Sequence, residues 1–208
     1  HPKMGNLPNS RFEVVRPFYI SSVDYAGPFF IKNSILRNRK FVKCYLCIFV
    51  CNVSRAVHIE LVTDLTAKSF IDVLKRFVAR RGVPKRLISD NGTNFVGANA
   101  ELKAIKKDLL KLESTDIFND YITDNHIEWS FLPACSPHMG GLHEAAVKSA
   151  KFHLKRIFKN SFFSYEQFVT LICQVEGILN SRPLLPLSPD PNDLSVLTPG
   201  HFLIGSNL

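Results

Sequence analysis

Three acidic residues, Asp24, Asp90 and Glu144, have the setting that metal-assisted chemistry requires. Asp24 lies inside ISSVDYAGPFF, and a carboxylate among such apolar neighbours is costly to bury unless something pairs with it. Asp90 closes the apolar run RLIS and is followed at once by Asn91-Gly92. Glu144 follows SPHMGGLH, where Gly140-Gly141 lets the chain bend tightly against a bulky ligand. Carboxylates gathered at one spot repel, and either hold protons or recruit a cation. An all-oxygen ligand set suits Mg2+ or Mn2+ rather than zinc. Two such ions can clamp the attacking and leaving oxygens of a phosphodiester during in-line displacement. Each acid also has a plainer reading. Asp24 could pair with a buried Lys or Arg, Asp90 could be a turn residue, and Glu144 could favour a helix N-terminus through the macrodipole. Singly, those readings are the stronger ones; for all three in this order, the metal reading is.

The residues after Glu144 add a separate signal. Lys148, Lys151 and Lys155 follow it at intervals of four, seven and eleven, which places them on one helical face. Ala146, Ala150, Leu154, Ile157 and Phe158 supply an apolar side opposite. A lysine stripe leading to a carboxylate site suits a phosphate backbone entering that site, although a solvated basic face explains the stripe taken alone. His138 and His143 could shuttle protons, but packed or solvated histidines are the better reading. Glu60 and Glu128 are weaker metal candidates because nothing else converges on them. A zinc-protease helix is excluded, since position 147 is Val147 where H-E-x-x-H needs histidine. Cys44 and Cys47 form a C-x-x-C pair with no second pair to complete a zinc site. They lie in the strand-like KCYLCIFVC, where residues three apart face opposite sides.

The elements that must position these groups read as a mixed α/β order. Strand-like runs cover about Tyr19–Ile31, Phe41–Val53 and Ala56–Val62, the first two joined by the polar KNSILRNRK as in a hairpin. In the third, His58 and Glu60 alternate with Val57, Ile59 and Leu61, which predicts one wetter face. Phe70, Val73, Leu74, Phe77 and Val78 mark a helix that Gly82 and Pro84 close. The strand RLIS leads to Asp90, and Leu102, Ile105, Leu109 and Leu112 mark another helix. Ile127, Trp129 and Phe131 alternate in a fifth strand. After the loop PACSPHMGG, a helix is expected from about Leu142 to Phe158, and one more begins at the capping box Ser164–Gln167. The expected fold is a five-stranded mixed sheet, order 3-2-1-4-5, flanked by helices. Residues 1–18 read as a linker, 19–181 as one domain, and the Pro-rich 182–208 as irregular.

Bulk composition agrees with one packed domain. The 208 residues are 46% hydrophobic and include 17 Phe, too apolar for a disordered chain. A formal net charge of +8 favours polyanionic partners. Five Cys at irregular spacings suit reduced thiols in an intracellular protein. The apolar runs are too short to cross a membrane. Beginning HPKMG and ending GSNL, the chain is expected to be a piece of something longer.

Taken together, VDYAGPF around Asp24, SDNGTNF around Asp90 and SPHMGGLHEAAVKSAK around Glu144 resemble the catalytic core of retroviral and retrotransposon integrases, the D,D,E branch of the ribonuclease H-like fold. The resemblance runs from about Tyr19 to Phe158, and LNSRPL and LTPGHFLIG resemble the tail of BEL/Pao-type elements. It implies that Asp24, Asp90 and Glu144 are the catalytic, metal-binding triad for Mg2+ or Mn2+, with two ions when DNA is bound. It further implies that Lys148, Lys151, Lys155, His138 and Gly140 contact DNA. The implied activity is trimming of the element's 3′ ends and joining of the freed hydroxyls to target DNA. Implied partners are double-stranded DNA and further copies of the chain, without a membrane. The implied place is the nucleus, preceded by a cytoplasmic virus-like particle. The alternatives are a metal-dependent nuclease of the same fold and a domesticated, non-catalytic DNA-binding or assembly module. The interval of 53 residues between Asp90 and Glu144 exceeds the usual retroviral spacing; the excess is assigned to KKDLLKLESTDIFNDYITDNH.

Overall fold

A computed structural model of the chain describes residues 15–32, 41–89, 116–131, 137–157, 163–190 and 192–208. Its centre is a five-stranded sheet in the order β3-β2-β1-β4-β5. The strands are β1 (Ile20–Lys32), β2 (Phe41–Cys51), β3 (Val57–Val62), β4 (Arg86–Ser89) and β5 (Glu128–Phe131). The first three form an antiparallel meander, and β4 and β5 add beside β1 in parallel, as the sequence order predicts. The helix marked by Leu102 to Leu112 lies outside the described residues.

The strands are long apolar runs because both faces of the sheet are covered. On one face α1 (Ala67–Arg81) presents Phe70, Val73, Leu74 and Phe77 to Val23, Tyr25, Cys47, Phe49 and Leu87. Phe77 stacks on Phe49 with ring centroids 4.1 Å apart and meets Phe18 edge-on at 5.4 Å. Phe18, read from sequence as linker, is thus a core residue at 1% exposure. Thr66 caps α1 by accepting the Ser69 N–H, and Gly82 ends it in the left-handed region at φ 83°. The nine-residue α2 (Asp116–Asp124) lies against α1. On the other face α3 (Pro137–Ile157) and α4 (Tyr165–Asn180) pack on Ala26, Cys44, Leu46 and Ile48. Cys44 and Cys47 therefore enter opposite core layers, as strand alternation requires.

One irregularity shapes β1. Register with β2 shifts between Ala26 and Phe29, so Ala26 and Phe29, three apart, pack toward the same layer. Gly27 makes the shift at φ 148°, and a Cβ there would lie 2.7 Å from the Tyr45 ring. Only glycine fits that close approach.

Two expectations change. The face of β3 expected to be wet is dry: His58 is 1% and Glu60 6% exposed, because α1 and α4 close over this edge with charged side chains. The segment after Arg182 is not irregular throughout. Leu185–Pro186 (β6) and Val196–Leu197 (β7) pair antiparallel, and α5 (Pro199–Ile204) follows, with Pro199 at its start and Gly205 in the left-handed region at its end.

Candidate active site

Strand β1 carries Asp24 on the face that α3 and α4 cover, opposite to its neighbours Val23 and Tyr25. The carboxylate is 9% exposed, and its Oδ1 accepts the Tyr25 N–H at 2.8 Å. Beside it, β4 runs parallel and in register, pairing Val23 with Ser89. Ser89 is the last residue of β4; Asp90, the next in sequence, lies outside the described residues. Asp24, in the first half of β1, thus stands level with the carboxyl end of the neighbouring parallel strand β4, and such strand ends are where open α/β sheets bind ligands.

The third acid rides on α3. This helix packs on β1 and β2 through Ala146, Val147, Ala150 and Leu154, all buried. Glu144 belongs to this helix, while its side chain lies outside the described set. The helix starts at Pro137, five residues before the expected Leu142, and so takes in His138, Gly140 and Gly141. Proline at the first helical position explains the early start, since its fixed φ suits the helix and its missing N–H would have had no helical partner. Glu144 is consequently about two turns inside α3, beyond the first turn where the macrodipole would stabilise it.

Of the lysine stripe, Lys148 is exposed and Lys151 half-buried; Lys155 lies on the same helix. Ile157 departs from the expected apolar side at 40% exposure, because it is the last helical residue, nearly a turn beyond Leu154. Phe158 is outside the described residues. Glu60 and Glu128 are both already engaged by cations. Glu128 pairs with Lys85 at 3.2 Å and Arg86 at 2.8 Å, and these hydrogen bonds hold its carboxyl below the ordinary value of 4.5.

Glu60 belongs to a buried ionic cluster that the sequence did not disclose. It accepts from Arg76 at 2.6 Å and Arg80 at 3.1 Å, and contacts His58 Nε2 at 3.1 Å. His58 Nδ1 lies 3.3 Å from Glu176 on α4, which also binds Arg81 at 2.5 Å. Burial alone would lower the His58 pKa, but hydrogen bonds to Glu176 and Glu60 outweigh it and hold the imidazole above 6.5. Burial opposes ionisation of Glu60 and Glu176 too, yet His58 and the arginines keep both below 4.5. Glu176 further accepts the Ile59 N–H at 2.8 Å. One turn on, Asn180 bonds both backbone groups of Val57 at 2.8 Å. Helix α4 thereby acts as the missing neighbour of the edge strand β3, satisfying groups that would otherwise invite another strand.

Among the described residues, no group of three His, Cys, Asp or Glu side chains forms a metal site. The donor chemistry of the expected triad nevertheless fits a hard divalent ion: three carboxylates offer oxygen alone.

The scan of family models matches the integrase core domain over residues 16–137. Solved structures with the same fold include the simian T-cell lymphotropic virus intasome in complex with the PP2A regulatory subunit B56 gamma. That match has TM-score 0.59 and 17% identity, over 93% of this chain and 56% of that one; the chain thus spans little more than half of that relative. Trimeric and dimeric forms of the HTLV-2 integrase catalytic core domain in complex with magnesium match at TM-score 0.55 and 18% identity. They are covered over 98% and 99% of their chains and cover 91% of this one. No curated protein matches the sequence.

Proposed function

The chain belongs to the integrase core domain family, and on that premise we propose that it trims the 3′ ends of a retroelement's DNA and joins them to target DNA. In this reading Asp24, Asp90 and Glu144 hold Mg2+ or Mn2+, two ions when DNA is present. Bound there, the ions supply Lewis acidity at the phosphodiester under attack and charge neutralisation at its leaving oxygen.

The chain's own residues do the positioning. The Tyr25 N–H fixes one oxygen of Asp24, and the sheet fixes the backbone beneath it. Glu144 belongs to helix α3, which packs on β1 and β2. In this reading it completes the metal-holding set, the same helix's Lys148, Lys151 and Lys155 meet the incoming phosphates, and His138 and Gly140 meet the DNA end. The tail motifs LNSRPL and LTPGHFLIG favour an element of the BEL/Pao type, working in the nucleus. The dimeric and trimeric relatives favour self-association on two DNA ends.

The observation that carries the reading is the parallel register of Val23 with Ser89, which brings the strand bearing Asp24 beside the one leading to Asp90. The test is a joining assay with the full-length protein, labelled element-end duplex and Mn2+. Glu144→Gln is expected to lower trimmed and joined products together by roughly a hundredfold or more. Products undiminished in that variant refute the assignment, and hydrolysis without joining by the wild type points to a nuclease of the same fold.

A further inference from the structure

A cavity of about 510 Å3 lies between α3, the end of β2 and the C-terminal segment. Its walls are mainly aliphatic and aromatic, among them Val50, Val53, Leu179, Leu184, Leu197 and Phe202. Ala145 and Ser149 of α3 form one side. At the rim, Leu185 is 62% and Phe202 46% exposed. Cavities of this size, mostly apolar with few polar groups, are characteristic of sites for small organic ligands.

Two arginines, Arg182 and Arg55, line the cavity as well, and Arg182 is the one whose bonds are defined. It is half-buried and donates to the carbonyls of Leu179 and, at 2.6 Å, Arg55. A guanidinium has five N–H donors, so these two bonds leave donors over. Among the described residues no carboxylate pairs with it. Burial, and then the neighbouring charge of Arg55, push its pKa down, so the cavity wall carries a cation that an anion would relieve.

We infer that this cavity binds an apolar molecule bearing one carboxylate, a fatty or aryl-alkanoic acid, whose head pairs with Arg182 and whose body fills the aliphatic walls. A carboxylate matches the planar guanidinium fork. A DNA phosphodiester would bring two hydrated sugars against aliphatic surface. The inference rests on Arg182 and the apolar walls, not on the reading of the carboxylate triad.

The test is an NMR titration of the 15N-labelled full chain with decanoate and, in parallel, decanol. Decanoate is expected to give saturable shifts at Ala145, Ser149 and Leu184, and to bind roughly tenfold or more tightly than decanol. Arg182→Gln should cut that preference several-fold, with Arg55 left as the remaining cation. Should this variant fail to fold, Ser149→Trp, at an exposed position lining the cavity, should block decanoate while keeping the guanidinium. The inference is overturned by absent or unsaturable shifts, by shifts elsewhere, by a preference undiminished in Arg182→Gln, by undiminished binding to Ser149→Trp, or by duplex DNA displacing decanoate.

Discussion

Replacing Asn180 with leucine removes one side chain and strands two backbone groups. In the wild type the Val57 N–H donates to Asn180 Oδ1 and the Val57 carbonyl accepts from Nδ2, both at 2.8 Å. Asn180 is 1% exposed and Val57 fully buried, so water does not replace either partner. Leucine has nearly the same shape, which leaves packing little changed and isolates the hydrogen-bonding term. A buried polar group left unsatisfied costs about 1–3 kcal/mol, so two cost roughly 2–5 kcal/mol once some relaxation is allowed. For a chain of this size each kcal/mol moves the thermal midpoint by about 2–4 °C, giving an expected fall of roughly 5–15 °C by circular dichroism. Asn180→Asp, which keeps the acceptor but turns a carboxylate oxygen toward the Val57 carbonyl, should fall at least as far. A fall under about 2 °C for Asn180→Leu would refute the argument that α4 completes the edge of β3.

The ionic cluster gives stability a pH optimum. His58, raised above 6.5 when folded, contributes stability fully present below 6.5 and lost as pH rises through its folded value; Glu60 and Glu176, lowered below 4.5, contribute stability present above 4.5 and lost as pH falls through theirs. The thermal midpoint should therefore peak between about pH 5 and 6.5, and His58→Gln should flatten the alkaline limb and also weaken the acid one, because His58 helps to hold both carboxyls down. Lys148→Ala should weaken DNA binding similarly on all sequences and lower the salt dependence of log K by about one phosphate contact, measured by fluorescence anisotropy between low and physiological salt.

Much of the architecture was legible because it rests on local periodicity. The apolar run in KCYLCIFVC, the stripe from Phe70 to Val78 and the Ser164–Gln167 box each report a structure that neighbouring residues decide. The misreadings share the opposite property. His58 and Glu60 alternate with apolar residues as a wet face does, and their partners Arg76, Arg80, Arg81 and Glu176 lie on helices remote in sequence. The stretch LNSRPL was legible as a motif, yet the reason for its Asn180 and Arg182 emerges only when α4 meets β3 and the tail closes a cavity. Pro137 was a usable signal for the start of α3, outweighed by Gly140-Gly141, whose loop preference yields to the packing of Ala146, Val147 and Ala150 on the sheet. Asp24, Asp90 and Glu144 were chosen from residue type and order, before any geometry.

The most direct measurement is anomalous diffraction from crystals of the protein soaked in Mn2+. A peak is expected about 2.1–2.3 Å from carboxylate oxygens of Asp24 and Asp90, with Glu144 turned toward the same or an adjoining peak. A peak ligated elsewhere, or Asp24 and Asp90 too far apart to share an ion, would contradict that arrangement.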